Sequence, residues 1–183
     1  MVTVPAFVWR GGALRRALTI GAPVGLGLGV LAWLDSGFLL AGLFVFAVVG
    51  VFYGVWMTRR MARYWPGARD FDGACRVAVV DAVRRGERVG DPRLARGVIN
   101  YAAGMRASAE AARSLRWLLI FVLVVAAGTA VWDTIFGSIG NAVASGVYLV
   151  MLLVELFWWP KRLELLLANA DRAGELAHAV ISD

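Results

Sequence analysis

Four long runs of apolar residues divide this chain. They cover residues 17–34, 38–58, 117–136 and 139–159, and as helices they are long enough to cross a hydrocarbon core about 30 Å thick. Within each pair only a short turn separates the runs, so each pair is expected to form an antiparallel hairpin. The pattern predicts an all-α integral membrane protein, a four-helix bundle made of two transmembrane hairpins.

The polar segment between the hairpins, residues 59–116, carries helical periodicity of its own. Apolar positions follow a helical spacing over residues 71–85, with Asp70 as a candidate N-cap. A second helix is expected to start at Asp91 and Pro92, because an aspartate caps the free N–H groups and proline suits the first helical position. The segment therefore predicts a helical hairpin.

The two ends of the chain also have amphipathic character. Residues 1–16 mix aromatic residues with arginines and are expected to lie at the membrane surface. Pro160 is expected to mark the end of the fourth span, and residues 160–183 form an amphipathic C-terminal helix that packs on the hairpin. The helix from Pro92 to Arg116 is expected to continue into the third span, which begins at residue 117.

Charge sets the expected orientation. Residues 59–116 contain thirteen arginines and six acids, and a segment this basic resists translocation. We therefore expect this segment and both termini to be cytoplasmic, in a bilayer with an anionic inner leaflet. Eighteen of the nineteen basic residues are arginine, which is typical of a GC-rich bacterial genome and suggests a bacterial plasma membrane.

The tryptophans support the same topology. An indole ring prefers the headgroup region, and all eight tryptophans fall near the expected ends of spans. The expected outer ones are Trp33 and Trp132, and the expected inner ones are Trp9, Trp56, Trp65, Trp117, Trp158 and Trp159.

Composition narrows the function classes. The chain is 60% hydrophobic and 17% charged, which favours a membrane protein over a soluble one. Its basic residues flank the spans, so we do not expect nucleic-acid binding. Cys75 and His178 are the sole cysteine and histidine, which excludes an internal disulfide, a CxxC motif and a histidine metal cluster. We find no catalytic, metal or cofactor motif and do not expect an enzyme.

Glycines recur every four residues in the first hairpin and are candidate helix-packing positions. They are Gly21, Gly25 and Gly29 in the first span, and Gly50 and Gly54 in the second. Such a stripe lets another backbone approach closely. Its partner is either the other helix of the same hairpin or a second copy of the chain in a homodimer or larger membrane complex.

Three acids are candidates for an ion or proton site. Glu155 lies inside the fourth apolar run, where carboxylates are unfavourable and often functional. It either pairs with Arg59, Arg60 or Arg162 at the inner rim or handles ions. Asp35 and Asp133 occupy the two short outer turns, as solvated turn residues or as a shared cation site.

The arginines of the polar segment are candidates for lipid or partner contact. Arg59, Arg60, Arg63 and Arg116 flank the spans and are expected to meet anionic headgroups. Arg84, Arg85, Arg88, Arg93 and Arg96 surround the turn between the two polar helices. That group is either a solvated tip or a docking surface for an acidic partner.

Residues 82–95, AVRRGERVGDPRLA, resemble a segment of small, uncharacterised four-span membrane proteins of GC-rich bacteria. In those proteins the segment joins two cytoplasmic helices. The resemblance implies a cytoplasmic helical hairpin and carries over no activity and no functional residue.

These observations predict that the protein is a non-enzymatic membrane scaffold or accessory subunit, which uses its cytoplasmic helices for self-association or partner docking. The alternative is a small oligomeric transporter or channel with Glu155, Asp35 and Asp133 on the pathway. The sequence favours a lipid-modifying enzyme least of the three, because His178 has no evident nucleophile beside it.

Overall fold

The computed structural model describes residues 4–113 and 116–182, and this part of the chain is helical without any strand. Within these residues, four helices are long and apolar enough to cross a membrane: Ala13–Ser36, Leu39–Tyr64, Trp117–Phe136 and Ile139–Ser182. The predicted all-α class and the four apolar helices are therefore confirmed.

The described residues form seven α-helices. They are α1 (Ala13–Ser36), α2 (Leu39–Tyr64), α3 (Gly73–Arg85), α4 (Pro92–Arg113), α5 (Arg116–Phe136), α6 (Ile139–Leu153) and α7 (Trp159–Ser182). Ala6–Arg10 and Pro66–Asp70 form 3₁₀ turns, and Val154–Trp158 forms a π-helical turn. The predicted junction between α4 and the third span falls on residues 114–115, which lie outside the described residues.

The described chain divides into two compact units. One, here called the packed module, consists of residues 4–16, 56–113 and 162–182. The other, here called the span unit, consists of residues 17–55 and 116–161. Each unit has its own interior.

Three aromatic side chains form the centre of the packed module. Trp9, Trp65 and Tyr101 are 0%, 1% and 0% exposed, and their rings meet edge to face with centroids 5.0–5.6 Å apart. Met61 and Met105 are fully buried in the same module. The expectation that Trp9 and Trp65 lie at the membrane surface is therefore wrong, because both indole rings are enclosed by protein.

The N-terminal segment is part of this module. Arg16 fixes it by donating from Nε to the Gly11 carbonyl (3.0 Å) and from Nη2 to the Trp9 carbonyl (3.3 Å). Its guanidinium also lies over the Trp9 ring, 4.8 Å from the centroid. The segment is held by specific contacts to protein and does not form a free surface helix.

The helix starts follow the expected chemistry with one correction. Asp72, not Asp70, caps α3, and its carboxylate accepts the Cys75 backbone N–H at 2.7 Å. Asp70 belongs instead to the preceding 3₁₀ turn. At α4 the prediction is confirmed, because Asp91 accepts the Arg93 N–H at 2.8 Å and the helix starts at Pro92.

The turn between α3 and α4 begins at Gly86, which ends α3 in the left-handed region at φ 71°. Glycine adopts that conformation without the steric penalty that a Cβ brings. The N–H of Glu87 donates back to the Ala82 carbonyl at 2.9 Å, so one of the last carbonyls of the helix is satisfied.

The fourth span and the C-terminal helix form one continuous helical stretch, Ile139–Ser182. Pro160, which is predicted to mark the end of the fourth span, lies in the first turn of α7 within this stretch. The π turn immediately before it, in which the Trp159 N–H donates to the Val154 carbonyl, loosens the helix where the proline ring would crowd the preceding turn.

Candidate functional site

An open cleft of about 670 Å³ lies in the packed module. It is formed by the 3₁₀ turn Pro66–Asp70 and by the N-terminal ends of α3 and α4. Its walls combine carboxylates, guanidinium groups and a few apolar groups: Gly67, Asp70, Phe71, Asp72, Cys75, Asp91, Pro92, Arg93, Leu94, Arg96, Gly97 and Asn100. A cleft of this size and mixed polarity suits a ligand group or a partner side chain.

Two carboxylates of the cleft are held in place by the helices that they cap. Asp72 caps α3 and Asp91 caps α4, so each uses one oxygen for a backbone N–H. The hydrogen bonds from the Cys75 backbone N–H and from its side chain lower the pKa of Asp72. Asp72 therefore stays ionised on the wall of the cleft.

Cys75 is the only thiol of the chain and faces the same cleft, half-buried. Its hydrogen bond with Asp72, its burial and the charges of Asp72 and Asp91 raise the pKa of the Cys75 thiol. The thiolate is the nucleophilic form, so this environment lowers the fraction of Cys75 that is present as the nucleophile.

Sequence reasoning did not find this cleft. It comes from two helix starts and a 3₁₀ turn that the chain pattern treats separately. The signal that points to it is the presence of aspartates, Asp72 and Asp91, just before both polar helices.

The five arginines around the α3–α4 turn, predicted as one group, differ in burial and in their contacts. Arg84 is half-buried, its Nη1 donates to the Val4 carbonyl (3.0 Å), and its own carbonyl accepts Asn169 Nδ2 (2.8 Å). It therefore ties the N-terminal segment and α7 to the end of α3. The other four arginines, Arg85, Arg88, Arg93 and Arg96, are exposed, and Arg93 and Arg96 line the cleft.

The arginines at the end of α2 are similarly divided. Arg60 is half-buried, lies 5.4 Å from the ring centroids of both Trp56 and Tyr64, and donates to the Ser108 carbonyl at 3.2 Å. Arg59 and Arg63 are exposed. The side chain of Arg116 lies outside the described part of the structure.

The glycine stripe of α1 lies against α2 within the span unit. A Cβ on Gly25 would lie 2.6 Å from the Phe46 carbonyl oxygen and 2.8 Å from the Gly50 Cα. A Cβ on Gly21 would lie still closer to the Gly50 carbonyl oxygen, and a Cβ on Gly54 still closer to the Ala17 carbonyl oxygen. The stripe is thus occupied by the neighbouring helix of the same hairpin.

The three acids that are candidates for an ion or proton site are placed differently from one another. Asp133 on α5 accepts a hydrogen bond from the Ser145 hydroxyl on α6, and Asp35 at the end of α1 lies within electrostatic range of Tyr148 on α6. Glu155 is exposed on the π turn. No group of three or more histidines, cysteines or acids that could hold a metal ion occurs among the described residues.

Comparison with known proteins finds no family model, no curated protein and no solved structure that matches this chain.

Proposed function

We propose that this protein is a non-enzymatic membrane scaffold or accessory subunit whose packed module docks a protein partner at the cleft beside Cys75. The four apolar helices anchor the chain in a bacterial plasma membrane, with the module and both termini in the cytoplasm. The observation that carries the proposal is an open, charged cleft on a module that has its own aromatic core.

The rigidity of the cleft supports a docking role. Its acidic walls are helix caps, and Gly97 on its floor lies so close to Phe71 that a Cβ there would be 2.9 Å from the ring. Groups held in this way lose little conformational freedom when a partner binds. The carboxylates of the cleft offer a partner hydrogen-bond acceptors, and the guanidinium groups of Arg93 and Arg96 offer donors.

Cys75 allows a direct test, because it is the sole thiol and lies in the cleft. A photo-crosslinker attached to Cys75 in native membranes is expected to capture one defined protein. The matched control is Cys75→Ser/Glu175→Cys, which moves the crosslinker to an exposed position on α7 and is expected to capture much less of that protein. Crosslinks to lipid alone, or equal yields from both positions, would refute docking at the cleft.

The same thiol tests the orientation. An impermeant maleimide added to intact cells is expected to leave Cys75 unlabelled, and permeabilisation or denaturation is expected to expose it. Rapid labelling in intact cells would place the module outside and remove the basis for a cytoplasmic partner.

A second candidate is an oligomeric transporter or channel. The observation in its favour is the hydrogen bond between Asp133 and Ser145 on adjacent helices of the span unit. The close packing of α1 on α2 through glycines leaves no room for a path along that seam. Ion or proton flux in liposomes, lost in Asp133→Asn or Glu155→Gln, would favour this candidate over the scaffold.

A further inference from the structure

Arg59 and Arg63, near the end of α2, are exposed, whereas Arg60 between them contacts other residues of the packed module. Arg60 lies between the rings of Trp56 and Tyr64 and donates to the Ser108 carbonyl. Arg59 and Arg63 have no hydrogen bond or ion pair among the residues that the structure describes. Their two positive charges are therefore available to a ligand.

These two side chains share one helix face with a tryptophan. Arg59 and Arg63 are four residues apart, so they are neighbours on the helix surface. Trp56, which is 43% exposed, precedes them by one and two turns on nearly the same side. The apolar stretch of α2 ends at this point, and Phe52, one turn earlier than Trp56, is exposed as well.

The chemistry of the three groups is complementary to a lipid headgroup. A guanidinium group binds phosphate oxygens through a planar pair of N–H donors, and a tryptophan ring prefers the ester and headgroup region of a bilayer. Two adjacent cations favour a headgroup with net negative charge, because a zwitterionic headgroup brings its own ammonium group close to them.

We propose that Arg59 and Arg63, together with Trp56, form a binding site for the phosphate group of an anionic phospholipid. Inorganic phosphate offers the same oxygens to the guanidinium groups. The lipid is the better ligand, because Trp56 and the exposed apolar surface before it contact the ester region and the acyl chains. The site goes beyond the docking role proposed above and does not depend on it.

The test is the thermal unfolding midpoint of the full chain in detergent, with phosphatidylglycerol, phosphatidylcholine or inorganic phosphate added. A ligand that binds the native state raises the midpoint, so phosphatidylglycerol is expected to raise it most. Arg59→Gln/Arg63→Gln is expected to lose most of this increment. The matched control Arg85→Gln/Arg88→Gln removes the same charge from the α3–α4 turn and is expected to keep it.

Arg60→Gln separates lipid binding from structure. It is expected to lower the midpoint without lipid, because the Ser108 contact is lost, and to retain the phosphatidylglycerol increment. Arg59→Lys/Arg63→Lys, which keeps the charge but not the planar donor pair, is expected to bind a fluorescent phosphatidylglycerol more weakly than the unchanged chain does. This variant also decides the matter if the glutamine pair fails to fold.

Four results would overturn the site. The first two are an equal rise of the midpoint with both lipids and a rise with phosphatidylglycerol that survives in Arg59→Gln/Arg63→Gln. The other two are an equal loss of that rise in the Arg85→Gln/Arg88→Gln control and its loss in Arg60→Gln alone. A midpoint raised as much by inorganic phosphate as by phosphatidylglycerol would assign the site to free phosphate and refute the lipid.

Discussion

Gly29 and Gly42 contact each other reciprocally across the first hairpin. A Cβ on Gly29 would lie 2.7 Å from the Gly42 carbonyl oxygen, and a Cβ on Gly42 would lie 2.7 Å from the Gly29 carbonyl oxygen. Real Cβ atoms do not approach a backbone oxygen so closely, so either substitution forces α1 and α2 apart.

We therefore expect Gly42→Ala to destabilise the hairpin by about 1–3 kcal/mol, the usual range for overpacking. The measurement is unfolding of the purified protein from mild detergent by titration with a denaturing detergent. Gly27→Ala is the control, because a Cβ at Gly27 meets nothing within 4 Å. Equal stability of the two variants would contradict the packing described here.

The N-terminal 3₁₀ turn provides a second matched pair. Trp9 is 0% exposed and Phe7, two residues earlier, is 63% exposed. Trp9→Ala is expected to cost about 3–5 kcal/mol, as for other buried aromatic residues, and Phe7→Ala very little. Thermal unfolding of the detergent-solubilised chain measures both. A small effect of Trp9→Ala would mean that the aromatic core does not stabilise the module.

The buried hydroxyl of Tyr101 predicts a dependence on alkaline pH. Burial raises the pKa of Tyr101, and the hydroxyl has no hydrogen-bond partner among the described residues. The Trp9 indole N–H is near enough to favour the phenolate weakly, but its geometry falls short of a hydrogen bond. The folded state thus prefers the neutral phenol.

The pKa of Tyr101 is higher in the folded chain than in the unfolded chain. Its contribution to stability is therefore complete below the unfolded pKa of about 10 and is lost progressively as the pH rises above it. The native chain should therefore lose stability above about pH 10, and Tyr101→Phe should lose less. At neutral pH, Tyr101→Phe is expected to be as stable or about 1 kcal/mol more stable, because an unpaired buried hydroxyl is removed. Tyr64→Phe, at a half-buried position, is the control for loss of a hydroxyl. Identical alkaline profiles for the native chain and Tyr101→Phe would refute the prediction.

The reactivity of Cys75 reports on the electrostatics of the cleft. Asp72→Asn retains a good N-cap but removes the charge that helps to raise the pKa of Cys75. Alkylation of the folded protein at a fixed, neutral pH is expected to become a few-fold faster, since one pKa unit changes the thiolate fraction about tenfold. Asp91→Asn is expected to have a smaller effect, because Asp91 acts on the thiol through its charge alone. Equal alkylation rates in all three folded proteins would refute the effect of these charges on the Cys75 thiol. Equal rates of the three proteins in denaturant are the control.

Local signals in the sequence were sufficient to predict the helices. Apolar length gave the four membrane-compatible helices, and the pair Asp91–Pro92 placed the start of α4. Asp70 and Asp72 lie only two residues apart, and the pattern alone did not show which of them adjoins the first helical turn.

Contacts between distant parts of the chain could not be predicted in the same way. Trp9 and Trp65 have the amphipathic rings expected at a membrane surface, and the same rings suit a protein core. Only the pairing of residues 4–16 with α3 and α4 decides between these environments. Gly42 escaped notice because Phe46 interrupts the glycine repeat between it and Gly50, yet its backbone lies as close to α1 as the repeat glycines do.

The packed module draws its residues from three stretches that the apolar runs separate in the chain. Trp9 precedes every one of those runs, and Leu166, Ala170 and Ala173, which are all buried, follow the last of them. During biosynthesis the interior of the module can close only after the whole set of apolar helices has left the ribosome. The buried residues of α7 are the last to join it, whereas Trp9, Trp65 and Tyr101 all precede the third apolar helix and can pack together earlier.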